Sequence, residues 1–299
     1  MNRLSPKTKR TQHWFSAKGR EIYCEGRPLV MGVVNVTTDS FYDGGRYVEP
    51  ERAIDHALEL VGQGADILDV GGESTRPGAD SVSEEDELAR VIPVVKGLVP
   101  RVPVPISIDT AKSRVAEVAL DCGASIINDV SALRQDPAMA SVIARADAGI
   151  ILMHMQGSPL TMQQSPRYSD VVGEVRHFLD ERLQAALRAG IARTNIILDP
   201  GFGFGKLLHH NLELLRQLPV LTALDRPLLV GLSRKAFIGK VVDRPVEHRE
   251  WGTAAAVALA VDRGAHIVRV HDVAMMIDVV KIAAALSPRW SCGGQECDA

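Results

Sequence analysis

The chain has 299 residues, with 34 Lys and Arg against 37 Asp and Glu for a formal net charge of −3, which leaves room for one large domain or two ordinary ones. A balance so even excludes the basic footprint of a nucleic-acid or membrane-surface protein. The longest small-apolar run, 253–261, is far short of the roughly 20 residues that span a bilayer. The 4 cysteines (Cys24, Cys122, Cys292, Cys297) form no Cys-x-x-Cys pair, so they read as free thiols in a reducing cytoplasm, not as a disulfide framework or zinc site.

In chain order, residues 1–12 are polar and basic and predict a tail, not a secretory signal. Trp14-Phe15 and Ile22-Tyr23 flank Lys18-Gly19, which predicts a short β-hairpin. Apolar, β-rich segments then recur at 29–36, 67–70, 104–108, 125–127, 149–153, 195–198, 228–231 and 266–270. Between them lie helical stripes, one of Ile54, Ala57, Leu58 and Val61, another of Val175, Phe178, Leu179, Leu183, Ala186 and Leu187. Ser83 before Glu84-Glu85-Asp86 and Asp136 before Pro137 look like helix starts. A final helix is expected over 273–286, leaving 287–299 as a disordered tail.

Strands alternating with helices imply a parallel sheet covered by helices. Eight such units in about 250 residues predict an α/β fold of the (β/α)8, or TIM, barrel type, with 13–286 as one domain. The competitor is an open doubly wound sheet, but the Gly-x-Gly-x-x-Gly turn after the first strand is missing. Two connections, 71–81 and 155–169, exceed the usual loop length, and long loops at a barrel mouth are usually functional.

Barrels of this type carry their chemistry at the C-terminal strand ends, and here those ends are polar throughout. In order they offer Asn35, Asp69, Asp109-Thr110, Asn128-Asp129, His154, Asp199, Ser233-Arg234-Lys235, and Arg269 with His271. Asp199 stands before Pro200 and a loop lightened by Gly201, Gly203 and Gly205, and a carboxylate placed there is costly unless N–H donors meet it. Each residue alone has a structural explanation: Asp129 and Asp272 as helix caps, Arg234 with Asp69 as an ion pair, His154 as a satisfied histidine. Together they divide by charge. Asp109, Asn128 and Asp199 suit a flat heterocycle rich in N–H donors. Lys235, Arg269 and His271 follow strands seven and eight, the usual phosphate corner of such barrels. Asn35 and nearby loop acids offer oxygen ligands for Mg2+. No Ser-His-Asp type pair is evident, which favours positioning and charge stabilisation over covalent catalysis.

Eight blocks, in order, resemble the signatures of the dihydropteroate synthase family of pterin-binding enzymes. They are Met31-Gly-Val-Val-Asn-Val-Thr-Thr-Asp-Ser-Phe41, Asp69-Val-Gly-Gly-Glu-Ser-Thr-Arg-Pro-Gly78, Ser107-Ile-Asp-Thr110, Ile127-Asn-Asp-Val130, Met153-His-Met155, Asp199-Pro-Gly-Phe-Gly-Phe204, Ser233-Arg-Lys235 and Arg269-Val-His-Asp272. The resemblance implies a folate-pathway transferase joining a dihydropterin diphosphate to p-aminobenzoate with Mg2+ as cofactor, and a homodimer. By matching position, Asp109, Asn128, Asp199 and Lys235 would hold the pterin. Asn35, Arg269 and His271 would hold the diphosphate, with Asn35 at the metal. Phe41, Thr75, Arg76, Pro77 and Ser233 would surround p-aminobenzoate, where sulfonamides bind in the family. Lys235, Arg269, His271 and Asp109 would carry the chemistry. Thr38 stands where many members have Pro, predicting a less rigid first loop, and Leu207-Leu208 stands where a hydroxyl residue is common, predicting an altered helix start. The rival readings are a pterin-dependent methyltransferase, which has no use for a diphosphate corner, and a catalytically silent homologue.

Overall fold

A computed structural model of the chain describes residues 14–24, 26–36, 48–74, 78 and 81–290. Strands β1 (Trp14–Ala17) and β2 (Arg20–Tyr23) form the expected antiparallel hairpin. Its turn residues, Lys18 at φ 52° and Gly19 at φ 72°, are both left-handed, as the twist of a two-residue hairpin demands. Lys18 anchors the turn, its Nζ donating to the Leu120 carbonyl and its N–H to that of Asp147. Phe15 is fully buried, so the hairpin packs onto the body of the fold.

Eight parallel strands follow: β3 (Leu29–Asn35), β4 (Ile67–Gly71), β5 (Ile106–Asp109), β6 (Ile126–Asp129), β7 (Gly149–Met153), β8 (Ile196–Asp199), β9 (Leu229–Gly231) and β10 (Ile267–Val270). Their order in the sheet is β8-β7-β6-β5-β4-β3-β10-β9. A Leu198–Leu228 bridge and a 3.0 Å hydrogen bond from the Leu198 N–H to the Pro227 carbonyl join the two ends. The sheet is therefore a barrel and not an open sheet. Strand β5 starts two residues later than the apolar run suggested: Pro105 has no N–H for the ladder, and its carbonyl accepts the Leu68 N–H.

Between and after the strands lie α1 (Val48–Gly62), α2 (Glu84–Leu98), α3 (Ser113–Asp121), α4 (Met139–Ala146), α5 (Val171–Arg188), α6 (Leu208–Arg216), α7 (Ala236–Val242), α8 (Glu250–Asp262) and α9 (Val273–Leu286). Each strand is covered on its outer face by helix side chains such as Leu60, Val94, Leu179 and Val280, all essentially buried. Continuous Ile and Val runs form strands here because both faces are dry.

Ser83 caps α2 as expected, its Oγ accepting the Asp86 N–H. Asp136 serves two helices: Oδ1 accepts the Ala138 N–H in the turn that leads into α4 at Met139, and Oδ2 accepts the Ser113 N–H at the start of α3. Leu207 offers α6 no cap, so His210 Nδ1 accepts the Leu207 N–H at 3.1 Å instead. The C-terminal boundary also moves. Residues 287–290 pack onto the domain, with Trp290 buried, its Nε1–H donating to the Val261 carbonyl and its ring edge-on to His266; residues 291–299 lie outside the described residues. No helix among the described residues is long and apolar enough to cross a membrane. Cys24 and Cys122 are free thiols, and burial pushes Cys24 up to about 12.

Candidate active site

Strand alternation puts every second side chain inside the barrel, and several buried polar residues gather toward the C-terminal ends. Ser107 and Asp109 are two apart on β5, and Asp109 lies beside Asn128 in the β5–β6 register. Met153 lies beside Asp199, and Arg269 beside Gly231. One narrow cleft is lined by Asp109, Asn128, Val130, Met153, Asp199, Phe202, Phe204, Gly231, Lys235 and Arg269. The structure thus brings together five of the expected site residues from five different strand ends.

Arg269, expected on the phosphate side, is bonded to Asp109, expected on the heterocycle side, and to Asp69. Its Nε donates to Asp69 Oδ2 at 2.6 Å and its Nη2 to Asp109 Oδ2 at 2.9 Å, whereas Nη1 makes no hydrogen bond among the described residues. Asp69 also accepts from Asn128 Nδ2 at 3.1 Å. It therefore orients two cleft residues from beneath while fully buried. The alternative pairing of Asp69 with Arg234 is not formed: Arg234 pairs with Asp272, Nη2 to Oδ1 at 2.6 Å. Asp272 is drawn off in this way and makes no side-chain cap for α9. Asp129 does act structurally, its two oxygens accepting the Ser131 and Leu133 N–H groups.

Arg234 sits at φ 58°, a left-handed turn that costs a non-glycine residue energy. The turn sends Arg234 outward to Asp272, while Lys235 enters the cleft with Nζ 4.2 Å from the Phe204 ring centre. Ser233 and His271 touch each other, Oγ to Nδ1 at 2.9 Å. Asn35 closes β3 as an exposed amide. Phe41, Thr75, Arg76 and Pro77, and with them Thr38, lie outside the described residues. Among the described residues no group of three or more His, Cys, Asp and Glu is placed to hold a metal ion.

The electrostatics follow from burial. Burial pushes Asp109 up to about 7, opposed by Arg269 and reinforced by Asp69, Glu87 and Asp129. Burial likewise raises Asp199 to about 6 against the Gly201 N–H, Lys235, Lys206 and Arg269. For Arg269, burial opposes the charge but Asp69 and Asp109 more than offset it, so it is raised. Among the described residues, Asp109 Oδ1, Asp69 Oδ1 and Ser107 Oγ are buried without a hydrogen-bond partner. Native proteins rarely leave such atoms unpaired unless something else is to bind them.

The sequence missed a supporting layer. The loop after β8 folds hard against the chain after β7. A Cβ on Gly201, at φ 66°, would sit 1.9 Å from the His154 carbonyl oxygen. Lys206 is buried beneath that loop with Nζ 2.8 Å from His154 Nδ1. The only sequence signal was a lysine closing a glycine-rich run. A larger cavity of about 350 Å3 opens beside His154, lined by Arg134, Gln156, Tyr168, Glu174 and Phe178 among others, but Asp109, Asn128 and Asp199 do not line it.

Comparison with known proteins agrees with this geometry. The family described as pterin binding enzyme matches residues 31–271. The dihydropteroate synthase of Neisseria meningitidis serogroup B is 51% identical over 266 residues, covering 87% of this chain and 93% of that protein. The structure of Xanthomonas albilineans dihydropteroate synthase with 4-aminobenzoic acid superposes with a TM-score of 0.86 at 47% identity, covering 92% of this chain and 98% of that one. The Yersinia pestis enzyme in a sulfonamide drug complex gives 0.86 at 42% identity, covering 91% and 98%. With its strand-end residues gathered into one cleft and its sequence matched over nearly its whole length, the chain belongs to the dihydropteroate synthase family of pterin-binding enzymes.

Proposed function

We propose that the chain condenses 6-hydroxymethyl-7,8-dihydropterin diphosphate with p-aminobenzoate, giving 7,8-dihydropteroate and pyrophosphate in the cytoplasm. Membership of the family makes it a transferase of folate biosynthesis. The observation that carries the residue roles is Asp109 Oδ1, a buried acceptor without a partner among the described residues, in a cleft shared with Asn128, Asp199, Lys235 and Arg269.

A pterin ring presents N–H donors along one edge, and Asp109, Asp199 and Asn128 supply acceptors to meet them. Its arrival exchanges the Asp109–Arg269 hydrogen bond for ring donors. The guanidinium is then freed to meet the diphosphate, where a planar fork of N–H groups matches phosphate oxygens. His271 and Ser233 stand together, Oγ to Nδ1 at 2.9 Å, and by family resemblance Ser233 would also meet p-aminobenzoate, with Phe41, Thr75, Arg76 and Pro77 as its other expected contacts. As the C–O bond breaks in an SN1-like course, positive charge spreads into the ring and negative charge gathers on the leaving group. Arg269 and His271 stabilise that charge from fixed positions. The aromatic amine is neutral near pH 7 and attacks through its lone pair, so no general base is required; the proton leaves from the new secondary amine to water.

Mg2+ keeps most of its waters and needs only one or two protein oxygens beside the substrate's phosphates. The exposed Asn35 amide at the rim supplies a hard oxygen of that kind and would hold the ion. When bound, it neutralises charge on the diphosphate. The assembly is a homodimer through α8 and α9, whose Trp251, Leu259, Ile282 and Leu286 are large apolar side chains exposed on one chain. Purified protein mixed with pterin diphosphate, p-aminobenzoate and Mg2+ tests the activity: pyrophosphate release should require the aromatic amine. Release without the amine, or none with it, overturns the assignment.

A further inference from the structure

Lys206 is 3% exposed and does not line the ring cleft. Its Nζ lies 2.8 Å from the Gly201 carbonyl oxygen, 3.1 Å from that of Phe204 and 2.8 Å from His154 Nδ1. A buried lysine is ordinarily held by a carboxylate, and among the described residues none hydrogen-bonds this one. The three acceptors instead match the three N–H bonds of an ammonium group. Two of them belong to the loop that carries Phe202 and Phe204 into the cleft. The third belongs to the residue after β7.

Other hydrogen bonds shape the loop itself, among them Phe204 N–H to the Gly201 carbonyl and Gln163 Nε2 to that of Gly203. Gly201 N–H donates to Asp199 Oδ1 at 2.7 Å, so the loop also fixes the carboxylate. Asn211 Oδ1 accepts the Gly203 N–H, and the Tyr168 hydroxyl donates to the Gly205 carbonyl. A Cβ on Gly205 would sit 2.6 Å from the Gln156 carbonyl oxygen, so the loop lies directly on the 154–156 segment. Lys206 fastens the two together from inside.

We propose that Lys206, clamped between His154 and the carbonyls of Gly201 and Phe204, is a positioning residue for pterin binding. It holds residues 200–205 so that Asp199 and Phe204 meet the ring, and it never touches substrate. The role rests on the pterin diphosphate reading above.

His154 makes the clamp tolerant of proton loss. Burial, with Lys235 opposing and Asp199 supporting the charge, brings Lys206 down to about 7. Burial and the charges of Lys206 and Arg134 push His154 far down, so its ring is neutral. His210 on α6 also feels Lys206, and Tyr168 packs edge-on to His210. As an ammonium, Lys206 donates to both carbonyls and to Nδ1. As an amine it still donates to both carbonyls and accepts a hydrogen from the Nδ1–H tautomer of His154. The loop is held in either state.

The test compares Lys206→Met, His154→Leu and His154→Gln with the wild type, by calorimetric binding of pterin diphosphate and by steady-state kinetics. Loss of the ammonium leaves the Phe204 carbonyl and His154 Nδ1 without their donor, the Gly201 carbonyl keeping the Phe204 N–H, so Lys206→Met should weaken pterin diphosphate binding by about 10-fold or more. The KM for p-aminobenzoate at saturating pterin diphosphate should stay within about twofold of wild type. His154→Leu should weaken pterin binding in the same sense, and His154→Gln, which keeps an acceptor, should restore it. Should Lys206→Met fail to fold, the Leu and Gln pair decides alone with Lys206 in place. Pterin affinity unchanged in Lys206→Met, equal effects on both substrates, or indistinguishable Leu and Gln variants would overturn the role while leaving the activity standing. A wild type without amine-dependent pyrophosphate release overturns the parent reading and this role together.

Discussion

At the N-terminal end of the barrel, buried and half-buried polar groups are paired with care. Asp66 receives Arg27 on both oxygens, at 2.7 and 3.0 Å, and the Val30 N–H as well. Asn195 Nδ2 reaches Asp147 and the Ala148 carbonyl, and His266 Nδ1 accepts the Leu228 N–H. At the C-terminal end buried polar groups are left short: among the described residues Asp69, Ser107 and Asp109 each keep an unpaired buried oxygen. Saturated polar groups hold a fold together, whereas unsaturated ones lower its stability and remain available to a ligand. The two ends therefore separate stability from function within one barrel, and mutations at each should move one property without the other.

The largest effect is expected at the open end. Asp199→Ala removes a ring anchor and should lower kcat/KM by about 100-fold or more through both pterin binding and turnover. Arg269→Ala should act mainly on kcat, and equal loss of pterin affinity in both variants with turnover intact would break the assigned division of roles. At the closed end, Trp290→Ala should cost about 3 kcal/mol in denaturant titration with kcat/KM unchanged. A variant as stable as wild type would show that residues 287–290 are not part of the folded unit. Asp66→Ala strands the Arg27 guanidinium and the Val30 N–H and should cost about 2 kcal/mol, again without altering kinetics.

The smallest effect is in pH. Folding raises Asp109 to about 7 and Asp199 to about 6, so the folded chain holds these protons more tightly than the unfolded chain. Their contribution to stability is present in full below about pH 4 and is lost as pH rises through the two folded values. Asp109→Asn should flatten the dependence of Tm on pH between about 5 and 8. Pterin binding runs the other way, because a protonated carboxyl no longer accepts from ring N–H groups. Affinity in the wild type should fall as pH drops below about 6, and affinity that rises instead would contradict ionised acceptors.

The strand–helix rhythm, the hairpin at Lys18-Gly19, the cap at Ser83 and the polar strand ends were all legible in the sequence. Each is written in local periodicity or local turn chemistry, and a parallel strand buried on both faces has to be a continuous apolar run. Motif resemblance also supplied Asp109, Asn128, Asp199, Lys235 and Arg269, which the barrel does gather. What was not legible is which partner each side chain takes. Asp136 caps a helix 23 residues earlier in the chain. Arg269 reaches carboxylates 200 and 160 residues away, and Lys206 meets a histidine 52 residues away. The sequence by itself determined the alternation of elements and the identity of the polar ends, because those depend on neighbours along the chain. Only the closed barrel decided that Asp69 would tie Arg269 to Asn128, that Arg234 would leave for Asp272, and that Lys206 would brace the loop below the cleft. Those pairings depend on distances across the barrel, which no local pattern encodes.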